Sequence, residues 1–178
     1  SSPYHNHGSL SGIDASAWTL DTDLNRWGVK FEGVADDRLV ITGVTAGPDW
    51  TVAAHLAFHT GSDQSYAYLA DFATGRVGLF VKDRGTRRLT IYDGTWRTVA
   101  DEDVWGGAHV CFTQASSVCR AYVDGVLKGS VATAGNSLGG QSCFGNRYAD
   151  NPTSPPAVFS DCVVYSRALT ASEISALA

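Results

Sequence analysis

The nine residues Trp50 to Phe58, WTVAAHLAF, put Trp50, Val52, Ala54, Leu56 and Phe58 on alternate positions. Successive side chains of an extended chain point to opposite faces, so these five share one side of a strand, whereas a helix would scatter them around its axis. The same period of two recurs almost everywhere. Tyr66 to Phe72 and Arg76 to Lys82 read as a hairpin joined through Ala73-Thr74-Gly75, and Arg88 to Tyr92 and Trp96 to Ala100 flank the turn signal Asp93-Gly94-Thr95. Further strands are expected at Val29 to Phe31, Arg38 to Thr42, Ala108 to Thr113, Cys119 to Val123, Val126 to Val131, Ser142 to Gly145 and Val158 to Tyr165. About a dozen short strands, spaced roughly 8–12 residues apart, describe an all-β, antiparallel two-sheet β-sandwich.

One segment breaks the pattern. In Leu169 to Ala178, Thr170 and Glu173 have the spacing of a capping box, and Ile174 and Leu177 fall on one face of the short helix that would follow. In Cys119 to Val131, CRAYVDGVLKGSV, Asp124-Gly125 sits between two alternating runs. A two-residue type I′ turn needs positive φ at both positions, which Asp-Gly supplies at little steric cost. Asp124 and Gly125 are therefore read as a register-fixing turn rather than as chemistry.

A length of 178 residues suits one domain over 1–178 with a sizeable core. The net charge of −5 lacks the basic surface that nucleic-acid binding requires. No apolar run approaches the roughly 18 residues of a bilayer span, so no membrane insertion is expected. The opening SSPYHNHGSL has neither the basic start nor the apolar run of a signal peptide, and it lacks a starting Met. It is read as the start of a processed or trimmed chain, with 1–12 extended or mobile. Cys111, Cys119, Cys143 and Cys162 form no C-x-x-C pair. They are read as core thiols, with a Cys111–Cys119 cross-strand bridge as the alternative.

Each apparent catalytic motif lacks its context. Gly135-Asn-Ser-Leu-Gly139 matches G-x-S-x-G, but no helix follows to raise Ser137 above a parallel sheet. His55 and His59 would share a zinc face on a helix; on a strand they stand about 13 Å apart, as ordinary polar or half-buried residues. Glycoside hydrolysis needs two aimed carboxyls. Asp101-Glu102-Asp103 is an acidic cluster without the strand alternation to aim two of its members together, and it reads as a solvated loop before Trp105. Lys82 to Arg88 reads as a charged turn that keeps a sheet soluble.

The order of elements resembles the laminin-G-like jelly-roll domains of the concanavalin A-like lectin/glucanase superfamily. Asn6 to Gly12 (NHGSLSG), followed by Trp18, is similar to the family's N-H-G-T-L opening, and Gly28 to Gly33 (GVKFEG) with Asp36-Asp37 and Leu39 to Ile41 to its core strands. Trp105 to Gly125 resembles its W-x-H-V-A-V-T…L-x-Y-V-D-G hairpin. Phe144 to Arg147 and Asp161 to Thr170 resemble its ending. Three positions depart: the usual first strand is missing, His55 stands where a Trp is frequent, and Cys111 and Cys119 replace small or aliphatic residues.

The resemblance implies a non-enzymatic, glycan-binding or adhesive module, extracellular or on a virion or cell surface, as in phage decoration or tail proteins. Trp96, Trp105 and Tyr148 are the rim aromatics offered for stacking on sugars, with Asn151 beside them. A calcium ion is the cofactor that lectin branches use, and Asp150 with Asn151 offers hard oxygen ligands for it. Partners would be a glycan or proteins of a larger assembly, with oligomerisation possible through a strand supplied by a neighbour. A purely architectural subunit is one alternative. A glycan-cleaving hydrolase or lyase using Asp101 to Asp103 is the other.

Overall fold

The computed structural model describes residues 8–11, 17–32, 37–58, 66–74, 76–82, 88–104, 106–146 and 156–178. Fourteen strands and one helix follow in order: β1 (Gly8–Ser11), β2 (Trp18–Asp21), β3 (Arg26–Phe31), β4 (Arg38–Ile41), β5 (Trp50–Phe58), β6 (Ala67–Thr74), β7 (Val77–Lys82), β8 (Leu89–Tyr92), β9 (Trp96–Ala100), β10 (Ala108–Ala115), β11 (Val118–Val123), β12 (Val126–Ala132), β13 (Gly139–Phe144), β14 (Ala157–Tyr165) and α1 (Ala171–Leu177). They form two antiparallel sheets, β1-β4-β13-β6-β7-β8-β9 and β12-β11-β10-β5-β14-β3-β2. This is the sandwich that the alternation predicts. Strands β1 and β2 are additions to the expected set, so residues 8–11 of the opening segment are a paired strand, Gly8 to Ser11 against Ile41 to Arg38.

The sheets close on one apolar core. Trp50, Val52, Ala54, Leu56 and Phe58 of β5 all enter it, together with Phe31, Phe72, Phe112 and Phe144, each at most 2% exposed. Trp50 keeps its one polar atom satisfied there by donating from Nε1 to the Asn136 carbonyl at 3.0 Å. Asn136 belongs to the expected G-x-S-x-G segment. That segment is a loop entering β13, and Ser137 is exposed on it.

The helix is built as its sequence predicts. Thr170 accepts from the Glu173 backbone N–H at 3.3 Å, and the Glu173 carboxylate accepts from the Thr170 backbone N–H at 2.8 Å. Arg167 holds that carboxylate well below its usual range, at about 2, with the Thr170 bonds adding to the effect. Ile174, fully buried, seats the helix on Ala53, Cys111 and Tyr122 of the second sheet.

Parity rules out the cross-strand bridge. Cys111 is the register partner of Tyr122, and Cys119 that of Gln114. Cys111 faces α1 and Cys119 faces the sandwich core, so the two lie on opposite sides of the sheet. All four cysteines are free, and burial pushes the Cys111 and Cys143 thiols up to about 12 and those of Cys119 and Cys162 higher still.

At the β11–β12 turn, Asp124 and Gly125 take φ values of 49° and 75°. Asp124 does more than turn the chain. Its Oδ1 accepts from the His109 backbone N–H at 2.9 Å, and its own N–H donates to the His109 carbonyl at 2.9 Å, which ties the turn to β10.

Candidate functional site

The first sheet has an outer face that no helix covers among the described residues. On β6, Leu69, Ala70 and Phe72 point into the core, as do Val77, Leu79 and Val81 on β7 and Leu89 and Ile91 on β8. Strict alternation cannot place Leu69 and Ala70 on one side. A register shift between Tyr68 and Ala70 does so. Such an irregularity re-aims the residues around it, leaving Tyr68 and Asp71 out of the core. Outward positions then line up across the strands: Asp71 pairs with Gly78, Gly78 with Tyr92, and Tyr92 with Trp96.

Along this row runs a groove of about 370 Å³, walled by Tyr68, Phe80, Tyr92 and Trp96, with Asp71 and Arg76 as its charged lining groups. That volume lies in the range of small-ligand sites, roughly 300–1,000 Å³. The aromatic wall is preorganised. Trp96 stacks on Tyr66 at 5.3 Å and 24°, and it meets Phe80 at 4.7 Å and Tyr92 at 5.1 Å. Tyr68 and Phe80 are buried, whereas Tyr92 and Trp96 keep part of their surface open.

Gly78 makes the hollow. A Cβ at this position would stand 2.9 Å from Phe80 Cε2 and 3.7 Å from Asp71 Oδ1, so a side chain would displace the ring and fill the space above Gly78. Chemically, the site offers aromatic faces for apolar C–H surfaces, the acceptor oxygens of Asp71 and a fork of donors in Arg76. A cyclic polyol carries the matching pattern: an apolar ring face with hydroxyls at its rim. Among the described residues the lining holds one carboxylate, Asp71, where glycoside hydrolysis uses two.

Of the residues singled out from sequence, Trp96 lies in the groove. Trp105, Tyr148, Asp150 and Asn151 lie outside the described residues, as do His5, His7 and His59. Among the described residues, no group of three or more His, Cys, Asp or Glu side chains is arranged to hold a metal ion. The acidic loop after β9 is engaged elsewhere: Glu102 pairs with Lys128 at 3.0 Å, and Asp101 stands 3.7 Å from Arg88. His55 needs correction. It is 6% exposed rather than half-buried, because the end of α1 covers that face of β5. Asp71, Gly78 and Tyr92 went unrecognised in the sequence. Tyr68, Phe80 and Trp96, on neighbouring hairpin strands, were the available signal, but the bulge that aligns them leaves no mark in the alternation.

The family model of the concanavalin A-like lectin/glucanases superfamily matches residues 34–175. The chain belongs to this superfamily. Solved structures share the fold. Domain 4 of an extracellular arabinanase from Geobacillus stearothermophilus, in complex with arabinotriose, matches with a TM-score of 0.68 at 16% identity, over 96% of this chain and 87% of that one. The receptor-binding domain of the botulinum neurotoxin C/D mosaic serotype matches with a TM-score of 0.70 at 13% identity, over 99% and 47%. A sialidase from Trypanosoma rangeli matches with a TM-score of 0.60 at 20% identity, over 84% and 27%. The superfamily member thus spans about half of the toxin domain and about a quarter of the sialidase. At these identities the likeness is one of fold alone. No curated protein matches the sequence.

Proposed function

We propose that the chain is a non-enzymatic glycan-binding module whose site is the groove on the outer face of the first sheet. The observation that carries this reading is the groove's composition: preorganised aromatics with open faces, beside one carboxylate and one guanidinium, over a glycine floor. Trp96 and Tyr92 supply stacking surface, Asp71 accepts from sugar hydroxyls, and Arg76 donates to sugar oxygens. The superfamily supports it, as does a similar fold solved with arabinotriose. A place on an extracellular surface or particle fits this role, and no helix is long and apolar enough to cross a membrane among the described residues. A glycan array probed with the wild type and with Asp71→Asn tests the reading. Hits that weaken in the variant support it; an array without hits for folded wild type overturns it.

One observation favours an architectural subunit as the second reading. Leu20 pairs with Trp27 across the β2–β3 hairpin and Trp18 stands two residues before Leu20 on the same strand, yet Trp18, Leu20 and Trp27 are 58%, 51% and 64% exposed. Contiguous exposed apolar surface of this kind marks contacts with further polypeptide. Sedimentation of the free chain tests it, since self-association lost in Trp27→Ser supports assembly and a monomer at every concentration leaves glycan binding alone.

A further inference from the structure

The outer face of the second sheet carries a second unusual arrangement. His55 on β5 and His109 on β10 are register partners, with ring centroids 4.7 Å apart. They are 6% and 3% exposed, and Nδ1 of each is buried without a hydrogen-bond partner. Most buried polar groups are satisfied, so two adjacent orphaned nitrogens call for an explanation. Two residues along the same strands, Ala53 pairs with Cys111 beneath Ile174 of α1. The imidazoles and the helix's apolar seat are therefore one continuous surface.

Charged and polar groups face the pair from every element around it. From β3 comes Arg26. From β14 comes Asp161, with Oδ2 3.5 Å from His55 Nδ1 and 2.7 Å from Arg26 Nη1. The β11–β12 turn contributes Asp124, bonded to the His109 backbone. Beyond α1, the Ala178 carbonyl lies 3.4 Å from His55 Nε2. We propose that the His55–His109 pair is an acid-sensitive latch: it holds α1 against the second sheet while both rings are neutral and releases it when the pair takes up protons.

His55 donating from Nε2 to Ala178 ties down the end of the helix; by itself that bond favours the charged ring, and burial outweighs it. A charge on either ring would be desolvated and would face the other ring at van der Waals range. Burial lowers both values, and His109 is pushed down to about 4 by burial first and by His55 second. Asp161 and Asp124 act in the opposite sense, and Arg26 adds to the lowering. With the helix lifted, both rings are wet and titrate near 6.5. Above that pH the closed state is at no disadvantage. As pH falls from 6.5 towards 4, the open state binds a proton that His109 in the closed state does not, so opening becomes more favourable by up to about tenfold per pH unit, and His55 acts in the same direction.

Hydrogen exchange of the α1 amides, corrected for intrinsic rates, and NMR titration of the two imidazoles test this on the full chain. The expected result is at least tenfold more frequent opening of α1 at pH 5 than at pH 7, while β5 and β10 stay protected. The double variant His55→Gln, His109→Gln has no charge to gain and should lose that response. An acid response retained in the double variant overturns the latch. So does a wild-type His109 that titrates near 6.5 with α1 still protected, a result that holds even if the double variant fails to fold.

Discussion

The two outer faces of the sandwich are built from the same kind of strand and end in opposite states. On the first sheet, the outward positions of β6 to β9 carry Asp71, Gly78, Tyr92 and Trp96 and enclose an open groove. On the second, α1 covers β5, β10 and β11 at Ala53, Cys111 and Tyr122, and all nine residues of β5 are buried. An antiparallel sheet normally shows one solvated face. The difference teaches that the capped C-terminal helix decides which central strands are covered on their outer side and which keep an open groove.

Substitutions can break that contrast. The largest effect is expected for Ile174→Ala, which removes the fully buried anchor of α1 and should cost about 2–4 kcal/mol in denaturant unfolding while leaving glycan binding intact. Gly125→Val comes next. Its positive φ, with a Cβ 2.9 Å from Ser175 Cα, should cost about 1–3 kcal/mol through backbone strain and push on the helix; unchanged melting would contradict the turn's role. Thr170→Ala removes the N-cap acceptor and should lower stability by about 1 kcal/mol. Asp71→Asn should change melting least of all, yet weaken glycan affinity by about tenfold through loss of a charged acceptor. A large stability loss in Asp71→Asn would instead make the groove a structural feature.

Much of this architecture was legible because its causes are local. Alternation in Trp50 to Phe58 and the Asp-Gly turn each impose geometry on their own residues, as does the Thr170–Glu173 box. Strand β6 runs on to Thr74, two residues past its expected end at Phe72. Strand β1, GSLS, holds a single apolar residue, and β2 inverts the expected pattern, with Trp18 and Leu20 exposed and Asp21 buried. The groove escaped for a different reason. Asp71 joins Tyr92 and Trp96 through a register shift near Tyr68 and through a glycine whose importance is the side chain it lacks. Burial of His55 likewise depends on a helix more than a hundred residues downstream, which no window around β5 contains.

The central claim, that the open face is the recognition face, is tested most directly by NMR titration of the protein with a panel of arabinotriose, lactose and 3′-sialyllactose. The expected result is a saturable shift of the Trp96 indole Nε1–H and of Asp71 and Tyr92 with at least one sugar, while His55 and His109 stay fixed. Gly78→Val should abolish that shift by filling the groove. Shifts confined to Trp18 and Trp27, or none at the groove with any sugar in the folded protein, would contradict the account.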